Sequence, residues 1–507
     1  MKILQLNFYE FENLLINTLN YSFKHMAGSS FSSGSNTVVD DAPGQQTNYT
    51  RALIVLTLLF FLWGFLTCMN DILIPYLKDV FQLNFFQAML VQFAFFLAYF
   101  IGSLIYFIIS VSSGDPISKI GYKNGIIAGL IISGISCALF YPAAEYKVYG
   151  FFLGALFFLG IGFTLLQIAA NPYVSILGTE ETASSRLNLS QGFNAFGTTI
   201  APLIGGYLVF QYFAVEGKVT ADSVKIPYLI FSSIFFLTAV LIKMTNLPTF
   251  TSDEKIESGA GALKYPHLVL GMLAIFFYVG GEVTIGSSLI NFFELENIMG
   301  LEPTKADVFL SFYWGGAMIG RFLGAISLGK TLMGPKKAGL MILVSILAFG
   351  IIYSGAYVKY GQSGEKLSFI EVSPFLIIIA VNLLAFVLGK SIASRTLAIF
   401  AFINIILLGI TLLTGGVLAF WSVIGIGLFN SIMWSNIFTL AIEGLGKYKS
   451  QGSSLLVMAI LGGALIPPIQ GAIADSVGLQ LSFFVPVICY VYLAYYGMAG
   501  YKAGKSN

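Results

Sequence analysis

The feature that most constrains this chain is a succession of fourteen long apolar stretches separated by short polar connections. They lie near residues 52–77, 86–112, 122–143, 148–171, 188–212, 227–247, 266–292, 307–328, 337–357, 373–389, 396–415, 417–441, 450–473 and 480–501. At about 1.5 Å per helical residue, stretches of this kind cross a hydrocarbon core of about 30 Å. Lipid offers no partner to a backbone N–H or C=O, so each stretch must satisfy its own as a helix. The runs are continuously apolar rather than alternating, which excludes a transmembrane barrel. Only 10% of the residues are charged, against about 25% in a soluble domain. The solvent for most of this chain is therefore expected to be the lipid bilayer. A net charge of +2 gives no reason to expect nucleic acid as a partner. Three cysteines and two histidines, far apart in sequence, form neither a metal-ligand spacing nor a nucleophile–base pair. No metal, no cofactor and no enzymatic activity are expected.

The charges between the spans assign orientation. Lys119, Lys123, Arg186, Lys255, Lys264, Lys330, Lys336, Lys337, Lys390, Arg395, Lys447 and Lys449 fall on one side, while the other holds fewer. The richer side is expected to be cytoplasmic, which places both termini there. Residues 1–50, with the Ser/Gly-rich GSSFSSGSNT, read as a mobile cytoplasmic tail. Residues 248–265 read as a polar linker between an N-terminal half, 51–247, and a C-terminal half, 266–501. Residues 502–507 form a short tail. An internal repeat supports that border. FGTTIAPLIGG from Phe196 and LGGALIPPIQG from Leu461 superpose Gly197 on Gly462, Pro202 on Pro467, Ile204 on Ile469 and Gly206 on Gly471. Two six-helix halves leave two helices over. LGKT at Leu328 and LGKS at Leu388 read as copies of one junction, so a helical hairpin is expected to be inserted near 337–389.

Several polar residues within the spans need an explanation. Asp71 in the first span and Glu282 in the seventh place carboxyl groups where an ionised one costs about 2.5–3.5 kcal/mol on insertion scales. Such groups either face a wet cavity, where they titrate or hold a cation, or are neutralised by a neighbouring helix. Gln167 and Asn171 are one turn apart, and Gln191 and Asn194 share a face of the fifth span. Side-chain amides pair donor and acceptor in the way sugar hydroxyls require, although they also join helix to helix. Asn430, Trp434 and Asn436 form a second polar and aromatic patch in the twelfth span, with Trp434 able to stack on a pyranose face. Arg186 and Arg321, near the richer side, are expected to act in gating.

These residues sit in strings that together resemble the major facilitator superfamily. The strings are NDILIP at Asn70, QIAANPYVSILG at Gln167, RLNLSQGFNAFG at Arg186, YVGGEVTIGS at Tyr278, GRFLG at Gly320 and FNSIMWSNIFTLAIEGLG at Phe429. Within that superfamily the chain is similar to the fucose–proton symporter branch and to its glucose/galactose transporters, over roughly 51–330 and 396–500. The resemblance implies that Asp71 matches the first-helix carboxylate tied to proton-coupled sugar transport, and that Gln191 and Asn194 match polar positions of the sugar cavity. Fucose carriers have a glutamate where this chain has Gln167, so Glu282 is expected to supply the second coupling carboxylate.

The expectation is an alternating-access importer of a small sugar, coupled to a proton or sodium ion. It would work as a monomer in a bacterial inner membrane. The rival reading is an exporter of drugs or other metabolites on the same fold. That reading asks for a mostly aromatic cavity with few amides.

Overall fold

The computed structural model describes residues 38–39, 49–83, 85–207, 212, 220–248, 250–251, 258–361 and 365–505. The tail expected over 1–50 lies almost wholly outside the described residues, as does part of the linker. A few side chains on described helices, those of Asp71 and Pro202 among them, also lie outside.

Fourteen long helical units follow one another along the described chain. They are α1 (Thr50–Phe81), α2 (Phe85–Ser113), α3 (Tyr122–Tyr146), α4 (Tyr149–Ile176), α5 (Ala183–Tyr207), α6 (Lys225–Met244) and α7 (Pro266–Glu294). Then come α8 (Pro303–Leu328), α9 (Gly334–Gly361), α10 (Phe369–Gly389), α11 (Ala393–Leu413), α12 (Gly416–Ile442), α13 (Gly446–Val477) and α14 (Leu479–Met498). Twelve of the fourteen are long and apolar enough to cross a membrane by length and composition. The two outside that set, α5 and α8, carry the polar strings RLNLSQGFN and SFYWGG. They pack against each other, so neighbours rather than lipid set their composition. A two-residue antiparallel pair joins Val38–Val39 to Phe250–Thr251.

Glycines set the helix spacing. A Cβ on Gly197 of α5 would lie 2.3 Å from the Phe61 carbonyl oxygen of α1, and one on Gly462 of α13 would lie 2.0 Å from that of Phe276 of α7. The two glycines aligned by the internal repeat thus make the same backbone contact, each with the helix that opens its set. The extra hairpin consists of α9 and α10, spanning 334–389 against the 337–389 expected. It packs on α8, α11 and α12. Lys337 anchors it by donating to the Ser327 and Gly329 carbonyls and, at 2.9 Å, to Ser391 Oγ. Apolar side chains such as Ile346, Ile377 and Val387 point outward from it, where the surrounding medium is hydrocarbon.

The end of the bundle that carries Lys119, Lys330 and Lys449, here the lysine-rich end, is closed. Across it the helices of α1–α6 bond to those of α7–α14. Ser184 and Thr439 hydroxyls meet at 2.5 Å, Ser185 Oγ donates to Ala325 O at 2.6 Å, and Asn188 Nδ2 donates to Asn436 Oδ1 at 3.1 Å. Gln451 Nε2 reaches Ser110 Oγ at 3.0 Å and the linker carbonyl of Gly259 at 3.1 Å. Lys449 pairs with Glu180 at 3.5 Å, and Lys330 with Glu181.

Candidate functional site

Midway along the bundle, both sets of helices wall one small cavity of about 150 Å³. Trp63 of α1, Gln167 of α4 and Gln191 of α5 face Tyr278, Val279 and Glu282 of α7, Arg321 of α8, Trp434 of α12 and Ile460 of α13. Gln167, Gln191, Glu282 and Trp434 are each less than a tenth exposed.

Local sequence explains how these groups converge. Gly280 and Gly281 precede Glu282. A Cβ on Gly280 would lie 2.6 Å from Ile466 of α13, so the bare glycine lets α7 seat closely there, and Glu282, two residues on, lines the cavity. Helix α12 is interrupted at Ser431–Ile432, between Gly416–Asn430 and Met433–Ile442. The break leaves the Ser431 carbonyl to accept Arg321 Nε at 3.3 Å, which holds the guanidinium at the cavity wall. The second piece of α12 presents Trp434, whose Nε1–H has no partner among the described residues.

Glu282 sits in a dense hydrogen-bond system. Tyr278 Oη donates to its Oε1 at 2.8 Å, and Tyr313 Oη donates to its backbone carbonyl at 3.1 Å. Among the described residues Glu282 makes no ion pair, although the Arg321 guanidinium acts on it electrostatically. Behind this wall, Asn430 Oδ1 accepts from Tyr490 at 2.6 Å and from Asn404 at 2.9 Å. Its Nδ2 donates to Tyr313 Oη at 3.0 Å.

Not every polar residue expected at the site lines the cavity. Gln167, Gln191, Glu282, Arg321 and Trp434 do. Asn430 is fully buried behind it. Asn194 donates from Nδ2 to the Phe60 carbonyl at 3.0 Å, clamping α5 on α1. Asn171 lies deeper toward the lysine-rich end, and Asn436 lies in the closed layer there, donating to Ala393 O at 3.0 Å. Arg186 is wholly buried within the first set of helices. It donates to the carbonyls of Val174, Ser175 and Thr179 and to Thr182 Oγ1, which fixes the α4–α5 turn. Asp71 lies on α1, and its side chain is outside the described ones.

Trp63 and Tyr278 went unflagged in the sequence, as did the supporting Tyr313, Tyr490 and Asn404. Tyr278 carried a usable signal, being one turn from an intramembrane carboxylate. Trp63 carried almost none in a chain with 15% aromatic residues.

A larger crevice, about 340 Å³, opens at the lysine-rich end. Its walls include Ser175, Glu180, Glu181, Ser184, Lys330, Thr439, Glu443 and Lys449. Glu180 pairs with Lys449 and Glu181 with Lys330 across the two sets of helices, while Glu443 pairs with Lys505, so it reads as a vestibule on the closed side.

The chain is similar to known membrane transporters. The chain is 45% identical to the glucose/galactose transporter of Brucella abortus, over 90% of this chain and 96% of that protein. It is 29% identical to the L-fucose-proton symporter of Escherichia coli, over 92% of this chain and 96% of that one. The crystal structure of the transporter FucP in the outward conformation superposes with a TM-score of 0.68 at 29% identity, covering 89% of this chain and 98% of FucP. Residues 53–360 match the family description of the Major Facilitator Superfamily. With that match and those full-length likenesses, the chain belongs to the major facilitator superfamily.

Proposed function

We propose that this protein imports a hexose of the glucose/galactose type by cation symport, through alternating access. The lysine-rich end faces the cytoplasm of a bacterial inner membrane, and a single chain suffices. One observation carries the reading: a cavity shared by both sets of helices holds a carboxylate, Glu282, beside two amides, a guanidinium and two indoles. Amides and Arg321 suit hydroxyl recognition, and indoles suit the apolar face of a pyranose. The indole N–H of Trp434, without a partner among the described residues, is a donor available to a sugar oxygen. A proton or sodium ion neutralises Glu282, with Asp71 as the candidate second carboxylate, and the loaded carrier then closes outside and opens inside.

The closed lysine-rich end corresponds to an outward-facing or occluded carrier, in keeping with the outward conformation of FucP. One elementary charge moving down 100 mV supplies about 2.3 kcal/mol, enough for a sugar gradient of roughly fifty-fold. The test is uptake of labelled glucose and galactose by the purified protein in proteoliposomes, with sodium replaced by choline across a pH series. Saturable uptake that follows either the proton or the sodium gradient supports symport. Uptake indifferent to both ions, or none of either sugar, contradicts it.

A further inference from the structure

Three helices carry a polar ladder from the central cavity to the vestibule at the lysine-rich end. On α4, Gln167 lines the cavity and Ser175 the vestibule, with Asn171 one turn from each on the same face. On α5, Gln191 lines the cavity and Ser184 the vestibule, with Asn188 between them. On α12, Trp434 lines the cavity and Thr439 the vestibule, with Ser435 and Asn436 between. The middle rung is sealed. Asn171, Asn188, Ser435 and Asn436 all have zero exposure, and the Asn188–Asn436 and Ser184–Thr439 bonds close it.

The rung is nevertheless poorly satisfied. Among the described residues neither amide atom of Asn171 has a hydrogen-bond partner, nor has Ser435 Oγ or Asn188 Oδ1. Buried polar atoms are normally paired, because an unpaired one loses its hydration for nothing. A layer whose only task was to seal the carrier would be more stable with apolar side chains. Here the unpaired atoms are amide donors, amide acceptors and a hydroxyl, a set complementary to sugar hydroxyls. When the lysine-rich end opens, the Asn188–Asn436 and Ser184–Thr439 bonds break and further groups of the same kind are released.

We propose that Asn171, Asn188, Ser435 and Asn436 form a second hexose subsite, which exists only in the inward-open carrier and receives the sugar on its way to the cytoplasm. The inference rests on the preceding reading that a hexose is the cargo. In the closed state the atoms are poised but shut, so sugar arriving from outside meets only the central cavity.

The experiment uses the full-length protein in proteoliposomes, with labelled galactose and glucose as probes. Half-saturation is measured separately from each face, by zero-trans uptake and zero-trans efflux, for wild type, Asn171→Ala, Ser435→Ala and the double variant. The cytoplasmic-face value is expected to rise fivefold or more while the outer-face value stays within twofold. A parallel shift at both faces, or none at either, overturns the subsite. Ser435→Ala removes a single oxygen and carries the same test should Asn171→Ala fail to assemble. If wild type moves neither sugar, the symport reading falls first and the subsite with it. If wild type transports normally and the face asymmetry is absent, only the subsite falls.

Discussion

Tyr278 Oη donates to Glu282 Oε1 at 2.8 Å from one turn earlier on the same helix, so the carboxylate and its donor move as one body with α7. A hydrogen bond to a charged group contributes about 1.5–3 kcal/mol. Tyr278→Phe keeps the packed ring and removes only the donor. The ion dependence of sugar uptake is therefore expected to move by about one to two tenfold steps in ion concentration, with folding intact. Uptake titrated against pH and against sodium, at fixed sugar, reads this directly. An unshifted titration would mean that the Tyr278 bond does not tune the carboxylate.

Asn430 ties Tyr490, Asn404 and Tyr313 into one buried knot. Asn430→Ala strands those groups, at about 1–3 kcal/mol for each that stays unsatisfied. The melting temperature of the detergent-solubilised protein is expected to fall by several degrees without any sugar present. Trp434→Phe, at the cavity wall, is expected to leave it nearly unchanged and to weaken sugar binding instead. Loss of sugar affinity in Asn430→Ala at unchanged melting temperature would place Asn430 in the binding site after all.

Gly197 and Gly462 make equivalent backbone contacts in the two sets of helices. A methyl group added at either would sit 2.3 Å or 2.0 Å from a carbonyl oxygen that belongs to backbone. Neither oxygen can swing aside as a side chain could. Gly197→Ala and Gly462→Ala are each expected to cut transport at least tenfold while the protein still inserts. Gly150→Ala, where an added Cβ meets nothing within 4 Å, is the control and should transport normally. Wild-type rates in both alanine variants would show that the close approach is dispensable.

Asp115 sits in the connection between α2 and α3, at the lysine-rich end. Its Oδ1 caps the short helix Pro116–Ile120 by accepting from Ile117 N at 2.9 Å and Ser118 N at 3.2 Å, and it also takes the Tyr106 hydroxyl at 2.6 Å. Burial pushes its carboxyl above the usual carboxylate range, and those hydrogen bonds, with one from the backbone of Gln451, oppose the shift. Tyr122 is the other titratable group acting electrostatically with it. Opening the lysine-rich end would hydrate Asp115 and return it to an ordinary value near 4. The closed state therefore gains its full preference below that ordinary value, and loses it as pH rises through the raised one. Asp115→Asn is expected to abolish this pH dependence. Distances between spin labels across the lysine-rich end, followed over pH, check it. A pH response that survives in Asp115→Asn assigns the effect to another group.

The fold was legible because hydrocarbon imposes one rule on every span. Apolar runs near 266–292 and 396–415 became α7 and α11 almost residue for residue. The repeat that aligned Gly197 with Gly462 marked two real backbone contacts. The site was legible only in part. Helical spacing showed that Gln167 and Asn171 share a face, but not that Asn171 lies inside the closed layer while Gln167 lines the cavity. Asn430 and Trp434, four residues apart, diverge because α12 breaks between them, and no proline announces the break. Trp63 was hidden among many aromatic residues doing ordinary packing, whereas Tyr278 stood one turn from an intramembrane carboxylate.

The account stands or falls on Glu282 as the coupling carboxylate. The most direct measurement is the steady-state ratio of labelled galactose inside to outside, in proteoliposomes holding an imposed ion gradient and a negative interior. Wild type is expected to concentrate the sugar several-fold or more. Glu282→Gln is expected to equilibrate it to a ratio of one while still exchanging it. Undiminished accumulation by Glu282→Gln, or by Glu282→Gln combined with Asp71→Asn, would contradict the account.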